Sequence, residues 1–320
     1  MPTAEPTPFQ HEPTTAPVSA EDLGFRPIGN ARPAWRTTVG GQPVRFHLLN
    51  RVEELAPLED LQRAVFGVTD LDVISASELV VVPETGGVVI GAYSDGASSE
   101  TALLGAAVAW GGFARRQPRF VSDLLAVRAE RRGAGLESAL KRLQAAVALE
   151  RGVVEVVWTV DPLRAANARL NFEKLGAHAD RYEEDRYGAG FGTGLYGGLP
   201  TDRLHVVWPL TSPHVRDRLL GRTIPRTRAD ITKLPIVDPA GPLPEACRAL
   251  VHLPGDIDRL LATDPEAAAR WRFSLRGTLQ RAFAAGFAIV GFVADVGPDG
   301  LSAYVIERRV AARQPQAGRS

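Results

Sequence analysis

Between Leu124 and Gln144 the chain reads LLAVRAERRGAGLESALKRLQ: an apolar run, arginine-rich turn residues, two glycines and an amphipathic pattern. That order is a strand, a loop and a helix built to meet an anion. Gly133 and Gly135 leave the backbone bare where the helix begins, so N–H groups of the loop and first turn can point at a phosphate with the helix dipole behind them. Arg131 and Arg132 add charge. The spacing lacks the three glycines of a dinucleotide fingerprint and the Gly-Lys-Ser/Thr of a nucleotide P-loop. An α/β chain follows, with one strand delivering its end to a small anionic ligand.

The flanking text supplies the remaining elements. Residues 44–49 alternate as a strand, and 52–65 carry Leu55, Leu58, Leu61 and Val65 at helical spacing. Runs at 79–82, 87–93 and 102–110 read as short strands of an antiparallel meander. Strand 120–127, helix 136–151 and the β-branched strand 153–160 make a β-α-β unit. Pro162 is expected to open a helix to Leu175, stopped by Gly176, and strands at 178–182 and 204–210 complete a first unit over 44–212. Residues 213–244, dense in Pro, Arg and Asp, read as a connector. A smaller unit over 245–310 follows: a strand at 247–253, a helix at 267–285 capped by Asp264, and a hairpin from 287–294 and 301–306 around Gly-Pro-Asp-Gly. Its strand, helix and hairpin could be a reduced copy of the first unit.

Composition narrows the partners. The 320 residues carry 37 basic and 37 acidic side chains, so there is no global field to draw nucleic acid or a membrane surface. Residues 1–40 are rich in Pro, Thr and Ala and read as a partly disordered tail. No apolar stretch approaches the roughly 20 residues of a membrane span, and the start lacks a secretory pattern. The lone Cys247 can form no internal disulfide and reads as a buried thiol in a reducing cytoplasm. Six scattered histidines, none paired at helical spacing, give no metal site, and no Gly-x-Ser-x-Gly elbow is present.

The glycine loop resembles the acyl-CoA-binding motif of the GNAT superfamily of N-acyltransferases, Arg/Gln-x-x-Gly-x-Gly/Ala. Arg132 and Gly135 match it after a strand closing in Ala126 and Val127, and Glu137 replaces the final small residue. A carboxylate there repels a pyrophosphate unless it turns outward or pairs with Arg131 or Lys141. A second signature is similar to VDPLRAANARLNFEKLGA, aligned on Leu175 and Gly176. Phe172 then falls on the family's Tyr, and Asn167 lies two positions after its Asn. With the YG…GLPTDRL…W and WR…F…GF…YVI segments, most of residues 44–307 looks like a large bacterial branch of predicted acetyltransferases.

The resemblance implies an α/β fold, a twisted mixed sheet flanked by helices with a smaller C-terminal α/β unit. It implies a transferase that takes acetyl-CoA or another acyl-CoA as donor and passes the acyl group to a small amine, such as an amino acid. The lone cysteine and the missing secretory pattern put it in the cytoplasm, and the scattered histidines leave it without a metal. Some relatives belong to pathways that N-succinylate amino acids, although no residue here selects succinyl over acetyl. Carried onto this chain, Arg131, Arg132, Gly133, Ala134 and Gly135 would hold the pyrophosphate, with Asn167 also on the donor. Backbone N–H groups of Leu125, Ala126 and Val127 would polarise the thioester carbonyl. Asp123, read on the same strand face as Leu125, is the candidate base, with Asp161 its rival or else a helix cap. Phe172 cannot protonate a departing thiolate, and Tyr187 is a nearby phenol. Trp158 is a pocket wall or a core residue, and Asp202 with Arg203 suits a zwitterionic substrate or a surface ion pair. Glu137, Phe172 and Asn167 also motivate an alternative, a non-catalytic CoA- or small-ligand-binding protein with a degenerate fold. The C-terminal helix and hairpin would either join copies into a homo-oligomer or pack on the first unit.

Overall fold

The computed structural model describes residues 17–29, 32–95, 103–188, 196–224, 226–297 and 300–309. Its strands are β1 (Arg26–Pro27), β2 (Ala34–Val39), β3 (Gln42–Leu48), β4 (Val88–Ser94), β5 (Leu103–Ala114), β6 (Gln117–Val127), β7 (Glu155–Val160), β8 (His178–Glu183), β9 (Arg203–Pro209), β10 (Arg248–Pro254), β11 (Phe287–Val293) and β12 (Leu301–Arg308). They form one 12-stranded mixed sheet in the order β1-β2-β3-β4-β5-β6-β7-β9-β8-β11-β12-β10. Of the named strands, β6 and β7 pair in parallel and all other neighbours are antiparallel. A parallel pair needs a crossover, which is the helix after the glycine loop.

Helices cover both faces. On one, α1 (Val52–Leu55), α2 (Pro57–Phe66) and α3 (Ala76–Leu79) bury Leu55, Leu58, Leu61 and Leu79 against Ala106, Val108, Leu124 and Ala126 of β5 and β6. On the other, α4 (Leu136–Glu150) sets Leu136, Leu140, Leu143 and Val147 in a core that also takes Phe120 and Val127 of β6, Trp158 of β7 and Trp208 of β9. Each such side chain contributes roughly 1.5–3 kcal/mol on burial. A short helix α5 (Ala165–Ala168) runs on as a π-helical turn, Arg169–Lys174, and Gly176 ends it at φ 71°. Within the connector, α6 (Pro213–Leu219) and α7 (Arg228–Ile231) form. After β10, α8 (Ile257–Thr263) leads to α9 (Pro265–Ala284), whose Ala267 N–H donates to Asp264 as the cap pattern required. Leu275, Leu279 and Ala282 of α9 join the α4-side core, and β11 meets β8 at Ile289 and Ala179, so the sheet is continuous from first strand to last. No helix among the described residues is long and apolar enough to cross a membrane.

Several expectations are corrected. Residues 17–29 and 32–40, read as tail, are folded: Val18, Leu23, Phe25 and Trp35 are buried, and Phe25 stands edge-on to Phe46 at 5.4 Å. Isolated aromatics in a Pro- and Thr-rich stretch suffice to pin it to a sheet edge. Residues 79–82 are not a strand, because Ser75 caps α3 by accepting from Glu78, and Leu79 and Val82 reach one core at helical spacing. No helix starts at Pro162, since a side chain turns the chain there first. The C-terminal unit, by contrast, does share a topology with part of the first: in β10-helix-β11-β12 the last strand lies antiparallel between the other two, as β9 does in β7-helix-β8-β9. Cys247 is exposed, not buried.

Candidate active site

The two parallel strands touch and then part. β6 pairs with β7 at Phe120 with Val156 and Val121 with Val157, after which neither strand has a ladder partner in the other. At the parting, β6 carries a bulge: Val108 pairs with Leu124 but Ala109 with Ser122, so Asp123 is the extra residue. One inserted residue reverses the parity of the strand. Phe120, Leu125 and Val127 belong to the α4-side core, while Leu124 and Ala126 belong to the other. Asp123 is therefore not on the face of Leu125. It accepts from Trp110 Nε1 at 3.1 Å, beside the core under α1 to α3. Arg119 pairs loosely with Glu155 at 3.9 Å instead of with Asp123. The bulge also precedes Leu125, Ala126 and Val127, so the interrupted ladder lies two residues before the expected N–H groups.

At the far end of β6 the glycine loop opens. Gly133 and Gly135 hold φ of 75° and 95°, the left-handed region that a side chain disfavours. No acceptor among the described residues meets the N–H groups of Gly133, Ala134, Gly135, Leu136, Glu137 and Ser138. Ala134 rests against Gly40, where an added Cβ would come within 3.0 Å of it. Arg132 braces the loop, donating to the carbonyls of Val127 at 3.4 Å and Val65 at 3.3 Å. Arg131 enters no ion pair among the described residues, which leaves it the charge available to a ligand. Glu137 is half-buried and pairs with neither Arg131 nor Lys141.

Lys141 is not on the surface beside these arginines. Its ammonium is buried where β6 and β7 separate, donating to Ser122 Oγ at 2.9 Å and Gln144 Oε1 at 2.8 Å, with the Trp158 ring 3.8 Å away. No carboxylate among the described residues accompanies it, and burial lowers its pKa to about 7. Gln144 Nε2 beside it is buried without a partner among the described residues. Trp158 packs edge-on to Trp208 at 5.9 Å as a core residue under the opening. The helix itself held the signal: Lys141, Gln144, Ala145 and Ala148 form a second buried stripe beside the leucines.

Other expected site residues are engaged elsewhere. Asp161 forms a buried two-pronged ion pair with Arg272 of α9, and its Oδ1 also takes the Leu163 N–H at 2.8 Å, so it is neither a free base nor a helix cap. Asp202 is fully buried and accepts from Tyr182 Oη, the Asp185 N–H and two Arg276 nitrogens. Arg203 is buried too, donating to Tyr196 Oη at 2.5 Å and lying 4.8 Å from the Tyr187 ring. Neither can offer a zwitterion its charge. Asn167 is exposed on α5, Tyr187 is exposed beyond β8, and Phe172 is buried edge-on to Tyr304 at 5.6 Å. The loop between Gly188 and Tyr196 lies outside the described residues. No cluster of His, Cys, Asp and Glu that could hold a metal is found among the described residues.

Sequence reasoning passed over His205 and Glu183. His205 Nε2 lies 2.5 Å from Glu183 Oε2 on the half-open face of β9 and β8. Their antiparallel register creates this pair, and no local motif announces it.

No protein-family model matches the chain, and no curated protein matches it. Among solved structures it is similar to an acetyltransferase of the GNAT family from Streptococcus pneumoniae, with 17% identity over 51% of this chain and 97% of that one, at a TM-score of 0.40. It is similar to the ribosomal-protein-S18-alanine N-acetyltransferase from Escherichia coli, with 15% identity over 53% of this chain and 95% of that one, at 0.41. A chain of the NatC complex bound to Gag peptide and CoA gives 15% identity, 52% and 98% coverage, and 0.42.

Proposed function

We propose that this chain is an acyl-CoA-dependent N-acyltransferase that moves an acetyl group, with succinyl as the alternative, to the amine of a small molecule such as an amino acid. One observation carries the reading. A parallel pair that parts after two registered residues, beside a bulge, opens toward a loop of unpaired N–H groups. Such a gap lets an extended pantetheine arm lie along β6 while the loop and Arg131 take the pyrophosphate. Residues 44–212 would be the acyl-CoA unit and 245–310 a buttress behind it, tied by Asp161 to Arg272 and by Tyr304 Oη to the Pro162 carbonyl at 2.7 Å. Attack within a ternary complex draws most of its rate from proximity.

Isothermal titration with acetyl-CoA, succinyl-CoA and free CoA tests this reading. Micromolar binding with a preference for one acyl group supports it and names the donor; no binding to any of the three removes it. A second reading, a CoA-binding protein without chemistry, is favoured by Phe172, sealed against Tyr304 where the family's phenol would stand. Binding without thiol release across a panel of amines would favour that reading instead.

A further inference from the structure

The sheet face opposite α4 is covered by α1 to α3 only as far as β6. Beyond it, Val157 and Thr159 of β7 and His205 and Val207 of β9 remain half-exposed, because their neighbours Val156, Trp158, Val160, Leu204, Val206 and Trp208 turn into the α4-side core. Thr159 and His205 are directly paired. Asp123 and Trp110 lie on this same side, across the gap between β6 and β7. The opening is thus bordered by an acid on one bank and, one strand of about 4.8 Å beyond β7, a histidine on the other.

His205 and Glu183 are arranged as a base and its orienting group. Their side chains retain 23% and 34% of their exposure, so both are screened from bulk water yet reachable. Arg186 at 2.6 Å and Arg181 at 3.8 Å also face Glu183. Burial opposes ionisation of Glu183, but hydrogen bonds from His205 and Arg186 outweigh it and hold its pKa below the usual value. An ionised carboxylate can only accept, so the proton between the two sits on Nε2. Nδ1 is left with its lone pair and meets no partner among the described residues. Burial, with Arg181 and Arg186, keeps the ring's pKa below its ordinary value despite Glu183.

Resting on the acyltransfer reading, we propose that His205, oriented by Glu183, is the general base that receives the proton of the acceptor amine. The amine lone pair forms the C–N bond to the thioester carbonyl carbon, and the C–S bond breaks with its electron pair leaving on sulfur. The proton lost from nitrogen goes to His205 Nδ1 and then through water to the thiolate, giving amide and free thiol. Asp123, held by Trp110 Nε1, would stand across the gap as a counter-charge to an arriving ammonium, which gives its first proton to solvent water before the lone pair attacks.

The test pairs a thiol-release assay with calorimetry on the full chain, using acetyl-CoA and succinyl-CoA against a panel of amino acids and simple amines. His205→Gln should lower kcat/KM about 100-fold and flatten the acid limb of the pH–rate profile, with acyl-CoA affinity unchanged. Glu183→Gln, which keeps a hydrogen-bond partner but loses the charge, should lower it about tenfold and shift that limb. Asp123→Asn serves as the competing variant. Turnover by His205→Gln within threefold of wild type, with the acid limb intact, overturns the assignment, and so does a loss confined to Asp123→Asn. Should His205→Gln fail to fold, Glu183→Gln decides alone by the same limb. A wild type that binds no acyl-CoA removes the acyltransfer reading and this assignment together, whereas binding and turnover with an indifferent His205 remove only the assignment.

Discussion

The carboxylate of Asp161 and the guanidinium of Arg272 face each other through two 2.8 Å hydrogen bonds in a place neither shares with solvent. The pair joins the end of β7 to α9, so the floor of the gap is fastened to the C-terminal unit. Removing one partner strands the other charge in the core, which costs about 3–5 kcal/mol. Asp161→Asn is therefore expected to lower unfolding free energy by that amount in urea titration, and adding Arg272→Met should recover much of it. Acyl-CoA affinity measured on folded protein should change little. A large fall in activity with stability intact would mean that Asp161 takes part in the chemistry.

How far the sequence was legible follows from the range of each interaction. Alternation in β3 to β9 and the leucine stripe of α4 are local patterns, and they describe the sheet and crossover well. Gly133 and Gly135 likewise announce their own backbone. Asp123 departs from the face that simple alternation predicts because a bulge inserts one residue without altering the text around it. Asp161 reads as a base or a helix cap at a strand end, and Asp202 as half of a substrate pair or of a surface ion pair, until Arg272 and Arg276 arrive from 111 and 74 residues away. His205 and Glu183, 22 residues apart, are brought together by register alone.

Gly135 stands at φ 95° at the head of α4, and a Cβ built there would touch nothing within 4 Å. Crowding is not the obstacle; backbone conformation is. Gly135→Ala must either hold a left-handed residue, at about 1 kcal/mol or more, or rotate the unpaired N–H groups away from a common focus. Acetyl-CoA affinity is expected to fall about tenfold by calorimetry while the melting temperature drops only a few degrees. Equal affinity in the variant would show that the loop does not hold the phosphates.

Adjacent arginines divide two tasks. Arg132 bridges the carbonyls of Val127 and Val65, whereas Arg131 makes no ion pair among the described residues. Arg131→Ala should weaken acyl-CoA binding several-fold at low salt, with the difference shrinking as salt screens the charge. Arg132→Ala should instead lower stability by about 1 kcal/mol through two lost carbonyl contacts. Affinity series at 50 and 500 mM salt together with melting curves separate the two effects, and a salt-independent loss in Arg131→Ala would contradict an ionic role.

Lys141 makes the fold's stability depend on pH in a direction uncommon for a lysine. Its pKa falls from 10.5 in the open chain to about 7 when buried. Between those values the unfolded chain holds a proton that the native state has shed, so stability rises with pH through that window, by up to about 1.4 kcal/mol per pH unit. Below pH 7 both states are protonated and the penalty of the buried ammonium is complete and constant. Lys141→Met fills similar space beside Trp158 and abolishes the titration. Relative to this variant, the wild type should be less stable at pH 6 and should gain on it by about 1–3 kcal/mol between pH 7 and 9 in urea unfolding. Parallel curves for the two proteins over that range would mean that the ammonium keeps its proton in the native state, held by Ser122, Gln144 and the face of Trp158.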